Sequence, residues 1–127
     1  MAIQKTWRTL IGAAFFALAA AGGNARAEEI PLVTGEHWSG SSEEVKKAYL
    51  VGLANLAHIE RAYAADNPPS DEQSLLPRMQ RGLRGQSLDS VRETLNSWYA
   101  AHPDRLQRPV IETIWFEMVV PGLQQGK

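Results

Sequence analysis

Three histidines, His37, His58 and His102, are the side chains of this sequence most suited to holding a metal ion or moving a proton near neutral pH. They lie in separate segments, and none shows the i, i+4 pairing with a carboxylate that makes a helical metal site recognisable. His58-Ile59-Glu60 is the nearest approach to such a pattern, and a weak one. His102 stands just past an expected helix end, where a cation meets the negative pole of the helix dipole, and that role accounts for it. Nucleophilic hydrolysis needs a serine in a constrained turn beside a base. The serines here stand at helix starts instead, where capping accounts for them. The paired carboxylates Glu43-Glu44 and Asp71-Glu72 fall in first helical turns, where negative charge suits the dipole. The expectation is a protein that is not an enzyme and takes no metal or cofactor.

Two charged features outlast this screen. A helical projection places Glu60 between Tyr49 and Leu53, inside an apolar stripe, and a buried charge needs a partner. The structural reading pairs it with an arginine such as Arg84 or Arg92; the functional alternative makes it a ligand or partner contact. Arg78, Arg81 and Arg84, spaced by three, fall near one face and could mark an anion site, because guanidinium groups grip phosphate or carboxylate in a forked geometry. A solvated helix face is the plainer reading of the series.

The elements that position these residues follow an export signal. Lys5 and Arg8 precede a twelve-residue apolar run from Leu10 to Ala21, which leads to the small-residue site Ala25-Arg26-Ala27. Charged head, short apolar centre and A-x-A site together read as a secretory signal peptide over residues 1–27. The run is shorter than the roughly 20 apolar residues a membrane helix needs, so the mature form is not expected to be embedded in a membrane. Cutting after Ala27 leaves 100 residues, with ten basic against fourteen acidic side chains, a formal charge of −4. That balance argues against nucleic acid, whose binders present basic patches. With no cysteine in the chain, helix packing and self-association are the available sources of stability.

The spacing predicts a single all-α domain over 28–127, a small four-helix-type bundle with an irregular N-terminal arm. The arm, residues 28–40, lays Ile30, Leu32, Val33 and Trp38 on the rest, with Trp38 as anchor. Ser41 and Glu44 form a capping-box pattern before a helix over about 42–65. On it Val45, Tyr49, Gly52, Leu53, Leu56, Ile59 and Tyr63 form the core-facing stripe, with Gly52 marking close approach of another backbone. Asp66-Asn67-Pro68-Pro69 ends that helix. Further helices are expected over 74–84, stopped by Gly85, over 88–101, opened by Ser87 and closed by His102-Pro103, and over 109–120, before Pro121-Gly122. The last is apolar nearly all round, as a helix central in its domain or shared with a partner must be.

The run W-x-x-S-x-x-x-x-K-x-x-Y-x-x-G, here Trp38, Ser41, Lys46, Tyr49 and Gly52, precedes a second pattern carried by Ser87, Leu88, Val91, Leu95, Tyr99, His102 and Pro103. Together they resemble the small secreted helical proteins of the Rap/Tai type over most of residues 35 to 120. The resemblance implies an immunity protein of type VI secretion, which protects the producing cell in the periplasm by binding a peptidoglycan-cleaving amidase. Many of those relatives carry helix-stapling cysteines that this chain lacks, and none of their contact residues is carried across. The leading expectation is therefore a noncatalytic protein-binding module, periplasmic or secreted, working as a homodimer. Its expected contact segment is the polar, proline-rich stretch with Asp66, Asn67, Asp71, Glu72 and Gln73. The alternative is an accessory or chaperone subunit, or a carrier of a small apolar ligand, motivated by the doubly apolar last helix.

Overall fold

Backbone pairing begins where the arm meets the start of the last helix. Thr34 forms an isolated bridge with Pro109, the Val110 N–H donates to the Val33 carbonyl at 2.8 Å, and the Gly35 N–H donates to the Arg108 carbonyl at 3.1 Å. The structure is a computed structural model that describes residues 29–66 and 74–126. The chain divides into Met1–Ile30 and Pro31–Lys127, and the expected signal peptide lies outside the described residues. The described chain is an all-α bundle without strands, and no helix in it is long and apolar enough to cross a membrane.

The arm is less irregular than its glycines and proline suggest. Residues Gly35–Gly40 form a short helix, α1, whose first turn is closed by His37 Nδ1 accepting the Thr34 N–H at 3.2 Å. Trp38 is the anchor, only 2 % exposed, but Ile30 and Leu32 stay exposed instead of covering apolar neighbours. Helix α2 (Glu43–Ala64) is capped by Ser42, whose hydroxyl accepts the Val45 N–H at 3.3 Å. Ser41, expected to cap it, belongs to the end of α1, where its hydroxyl donates to the His37 carbonyl.

The face that α2 buries differs from the expected one. Lys46 and Leu50 are buried, and Tyr49, Leu53, Ala57, Glu60 and Ala64 are half-buried, while Val45, Leu56, Ile59 and Tyr63 are exposed. The two stripes are displaced by one residue, about 100° of rotation, and each repeats with alternating steps of three and four. Side chains on the bundle side decide between them. Trp38 packs edge-on against Tyr49 and lies under the Lys46 ammonium, while Ser74 and Gln80 hydrogen-bond to Glu60 and to the Ala57 carbonyl. Ala57 and Ala64 on the inner stripe leave room for that approach.

Helix α3 (Leu75–Gly82) tolerates Pro77 in its first turn and ends in a turn where Gly85 has φ +84°, the left-handed stop expected of it. Helix α4 (Leu88–Ala101) has the expected bounds. Ser87 and Ser90 cap its start reciprocally, and His102 ends it by stacking on Trp98 while its Nδ1 lies 2.7 Å from the Trp98 carbonyl. Asp104 lies inside the following 3₁₀ turn (Pro103–Arg105).

The last helix continues past its expected stop. Helix α5 (Val110–Ile114), a π-helical turn (Trp115–Val119) and α6 (Val120–Gln125) follow one another without a break. Proline inside an α-helix lacks a donor and clashes with the carbonyl four residues back. Here the preceding turn widens, with the Val120 N–H bonded to the Trp115 carbonyl five residues back, and Pro121 enters the next turn near its start.

The last helix is central. Val110, Thr113, Ile114, Met118 and Val119 are buried, joining Trp38, Leu50, Met79, Val91, Leu95 and Tyr99 in the core. A Cβ on Gly122 would run into the Gly82 backbone, and one on Gly82 into Val119, so α3 and α6 cross backbone to backbone. Gly52, expected to mark such a crossing, has open space around it.

Candidate interaction surfaces

Apolar surface left over after packing lies mainly along α2. Val45, Leu56, Ile59 and Tyr63 are 55, 54, 55 and 87 % exposed, and with half-buried Tyr49 and exposed Gly52 they form one heptad-spaced stripe from end to end of the helix. The small residues Ala48 and Ala62 flank it. The doubly apolar last helix leaves little of this kind: Phe116 is its one large exposed apolar side chain, and the Arg108 guanidinium lies 5.6 Å from the ring.

A polar network fixes the N-terminal end of α2. Glu43 accepts from Lys46 Nζ at 2.7 Å and from Asn96 Nδ2, and its second oxygen lies 3.0 Å from Arg92 Nε. That last approach is an ion pair only, because Arg92 Nε is off the line of a hydrogen bond. The Lys46 hydrogen bond holds the Glu43 carboxyl below the ordinary carboxylate range against desolvation, the next largest effect, with lesser help from Asn96 and the charges of Lys46 and Arg92. Asn96 Oδ1 in turn accepts the Trp38 indole N–H at 2.9 Å. Trp38, Lys46 and Tyr49 are thus packing and network residues.

Among the described residues Glu60 has no arginine partner. Arg92 is engaged by Glu43 and Asp89, and Arg84 is exposed on the turn after α3. Ser74, the residue before α3, donates to Glu60 Oε1 at 2.8 Å in place of capping its own helix. The other oxygen, Oε2, is buried without a hydrogen-bond partner. Sequence spacing could not reveal this contact, because Ser74 belongs to a different segment from α2.

Arg78, Arg81 and Arg84 do share a face. They line an open hollow of about 900 Å³ together with Gln86, Thr94 and the turns of α6. Arg78 lies over the Trp115 ring at 5.0 Å, and the one carboxylate of the lining, Glu117, is bonded to Arg108 at 2.7 Å. Of the expected contact segment, Asp66 is exposed in the turn after α2, and Asn67, Asp71, Glu72 and Gln73 lie outside the described residues. His37 and His102 are occupied at helix ends, and among the described residues no three of His, Asp and Glu gather as metal ligands would.

Comparison of the chain with protein-family models, with curated proteins and with solved structures found no match. The class that fold and surfaces define is accordingly a small all-α protein with a long unpartnered helix face.

Proposed function

We propose that the protein is a noncatalytic protein-binding module of the bacterial envelope, exported by its N-terminal signal, cut after Ala27 and retained in the periplasm. There it acts as an immunity protein that occludes a peptidoglycan amidase. The observation that carries the binding role is the exposed stripe of α2. Its four large side chains offer on the order of 400 Å² of apolar surface, a size at which a contiguous patch on a monomer is commonly a contact site. The export signal and the resemblance to Rap/Tai-type proteins support the amidase as the partner, and Asp66, the described residue of the expected contact segment, is exposed in the turn after the same helix.

The test is inhibition of cell-wall cleavage by candidate amidases mixed with the purified protein and with its Leu56→Asp/Ile59→Asp variant. The expected result is inhibition by the native protein and an inhibition constant raised about 100-fold in the variant, since two charges would enter the centre of the contact. Absence of inhibition at micromolar excess across amidases defeats the immunity role. Equal inhibition by the variant removes the α2 stripe as the contact and leaves the Asp66–Gln73 segment. Light scattering on the same two samples tests the homodimer, in which the stripe is shared with a second copy: a native monomer excludes it.

A further inference from the structure

On the flank of α2 opposite the exposed stripe, two short side chains open a second feature. Ala54 and Ala57 stand where α2 passes the end of α3 and the start of α4, and their small size leaves an unfilled groove of about 340 Å³. Leu50, Leu53, Leu83, Leu88 and Val91 form its walls, with Met79 and Ile114 from the core at its floor. This volume is at the lower end of the roughly 300–1,000 Å³ typical of clefts that take small ligands, and such clefts are mostly apolar with a few placed polar groups.

The ionisable groups here are all basic, beside the uncharged Gln80, Gln86 and Ser87. No aspartate or glutamate lines the groove, while His58 and Arg61, three residues apart on α2, stand at its edge. Arg61 is held in place by a relay: its Nη2 donates to Gln80 Oε1 at 2.9 Å, and Gln80 Nε2 donates to the Ala57 carbonyl at 2.6 Å. That relay uses one of the five guanidinium donors. Among the described residues no carboxylate pairs with Arg61, whereas Arg92, Arg105 and Arg108 each have one. A pinned, unneutralised guanidinium at the mouth of an acid-free apolar groove is complementary to a ligand with one anionic head and an aliphatic body.

We propose that this groove is a binding site for a monoanionic aliphatic amphiphile, with the chain lying against Leu53, Ala57, Leu83 and Leu88 and the head group on Arg61. The site is independent of the protein contact proposed for the outer stripe, since the two lie on different flanks of the helix.

The experiment titrates the protein with decanoate and with decanol, both below their aggregation limits, and follows backbone amide shifts. The expected result is saturable perturbation centred on Ala54, Ala57, Leu83 and Leu88, with decanoate binding at least about tenfold more tightly than decanol because a charge-assisted hydrogen bond is added. Arg61→Gln should bring decanoate to the affinity of decanol and leave decanol unchanged. Ala57→Trp should abolish both while the helical circular dichroism is retained. Arg61 is exposed, so its variant reads the head-group contact even if the larger side chain at 57 disturbs the fold. Perturbation centred on Leu56 and Ile59, equal affinity for acid and alcohol, or indifference of decanoate to Arg61→Gln would each overturn the proposal.

Discussion

Ile114 on the last helix and Ile59 on α2 are the same side chain in the same kind of element, yet one is 1 % and the other 55 % exposed. Both helices carry apolar residues over more than one face. The last helix is enclosed because α3, α4 and the arm all reach it, and because glycine at positions 82 and 122 lets α3 and α6 meet at backbone distance. Helix α2 lies at the margin and meets α3 and α4 on one side, so whichever stripe turns inward, the other faces outward. The comparison teaches that an apolar face marks a need for cover, and neighbours in space decide whether the domain supplies it.

Truncation at the two isoleucines gives the largest test of that difference. Ile114→Ala should lower unfolding stability by ~3 kcal/mol, since it removes buried methyl groups and leaves a cavity, whereas Ile59→Ala should stay within ~0.5 kcal/mol. Denaturant unfolding of both variants checks it. A loss at Ile59 that matches the loss at Ile114 and grows with protein concentration would mean that the outer stripe is already covered, by a second copy.

A glycine pair sharpens the same contrast with a smaller effect. Gly122→Ala should destabilise by ~2 kcal/mol, because its methyl group meets the Gly82 backbone and one helix must shift. Gly52→Ala should stabilise by roughly 0.5 kcal/mol, because alanine favours the helix and nothing lies near its Cβ. Thermal melts of the two variants, moving in opposite directions, would establish which helix crossing the glycines serve.

These contrasts also mark where sequence reasoning runs out. Helix α4 is legible to the residue, because Ser87, the spacing of Leu88, Val91, Leu95 and Tyr99, and His102-Pro103 are all local signals. The stripe on α2 is ambiguous by one residue, since Lys46, Leu50, Leu53 and Ala57 repeat as regularly as Val45, Tyr49, Gly52 and Leu56. The choice rests on Trp38, Ser74 and Gln80, which arrive from other segments. Pro121 reads as a stop and is carried by a π turn that no local residue announces. Of the site residues, the shared face of Arg78, Arg81 and Arg84 is visible in their spacing, while the groove beside Arg61 exists only once three helices have met.

The smallest effect separates the inner edge of α2 from its outer face by pH. Burial pushes the Tyr49 phenol above its ordinary value of 10.0, and burial does the same for Tyr99, where a hydrogen bond with Thr113 and the charge of Arg108 act in the opposite direction. In the unfolded chain both phenols ionise near their ordinary value, so the unfolded state releases its protons first as pH rises. The stability tied to the neutral phenols is therefore complete below about pH 10 and is lost as pH climbs through the raised folded values. Tyr99→Phe should cost ~1–2 kcal/mol below about pH 10, because the hydroxyl lies 2.9 Å from Thr113 Oγ1 and donates to the Arg108 carbonyl, and the cost should shrink at higher pH. Tyr49 makes no hydrogen bond among the described residues, so Tyr49→Phe should leave neutral-pH stability nearly unchanged and flatten the alkaline decline. Denaturation midpoints measured across that range, beside tyrosinate absorbance, check both, and an alkaline decline that Tyr49→Phe leaves untouched would mean that the Tyr49 phenol is as open to water as that of Tyr63.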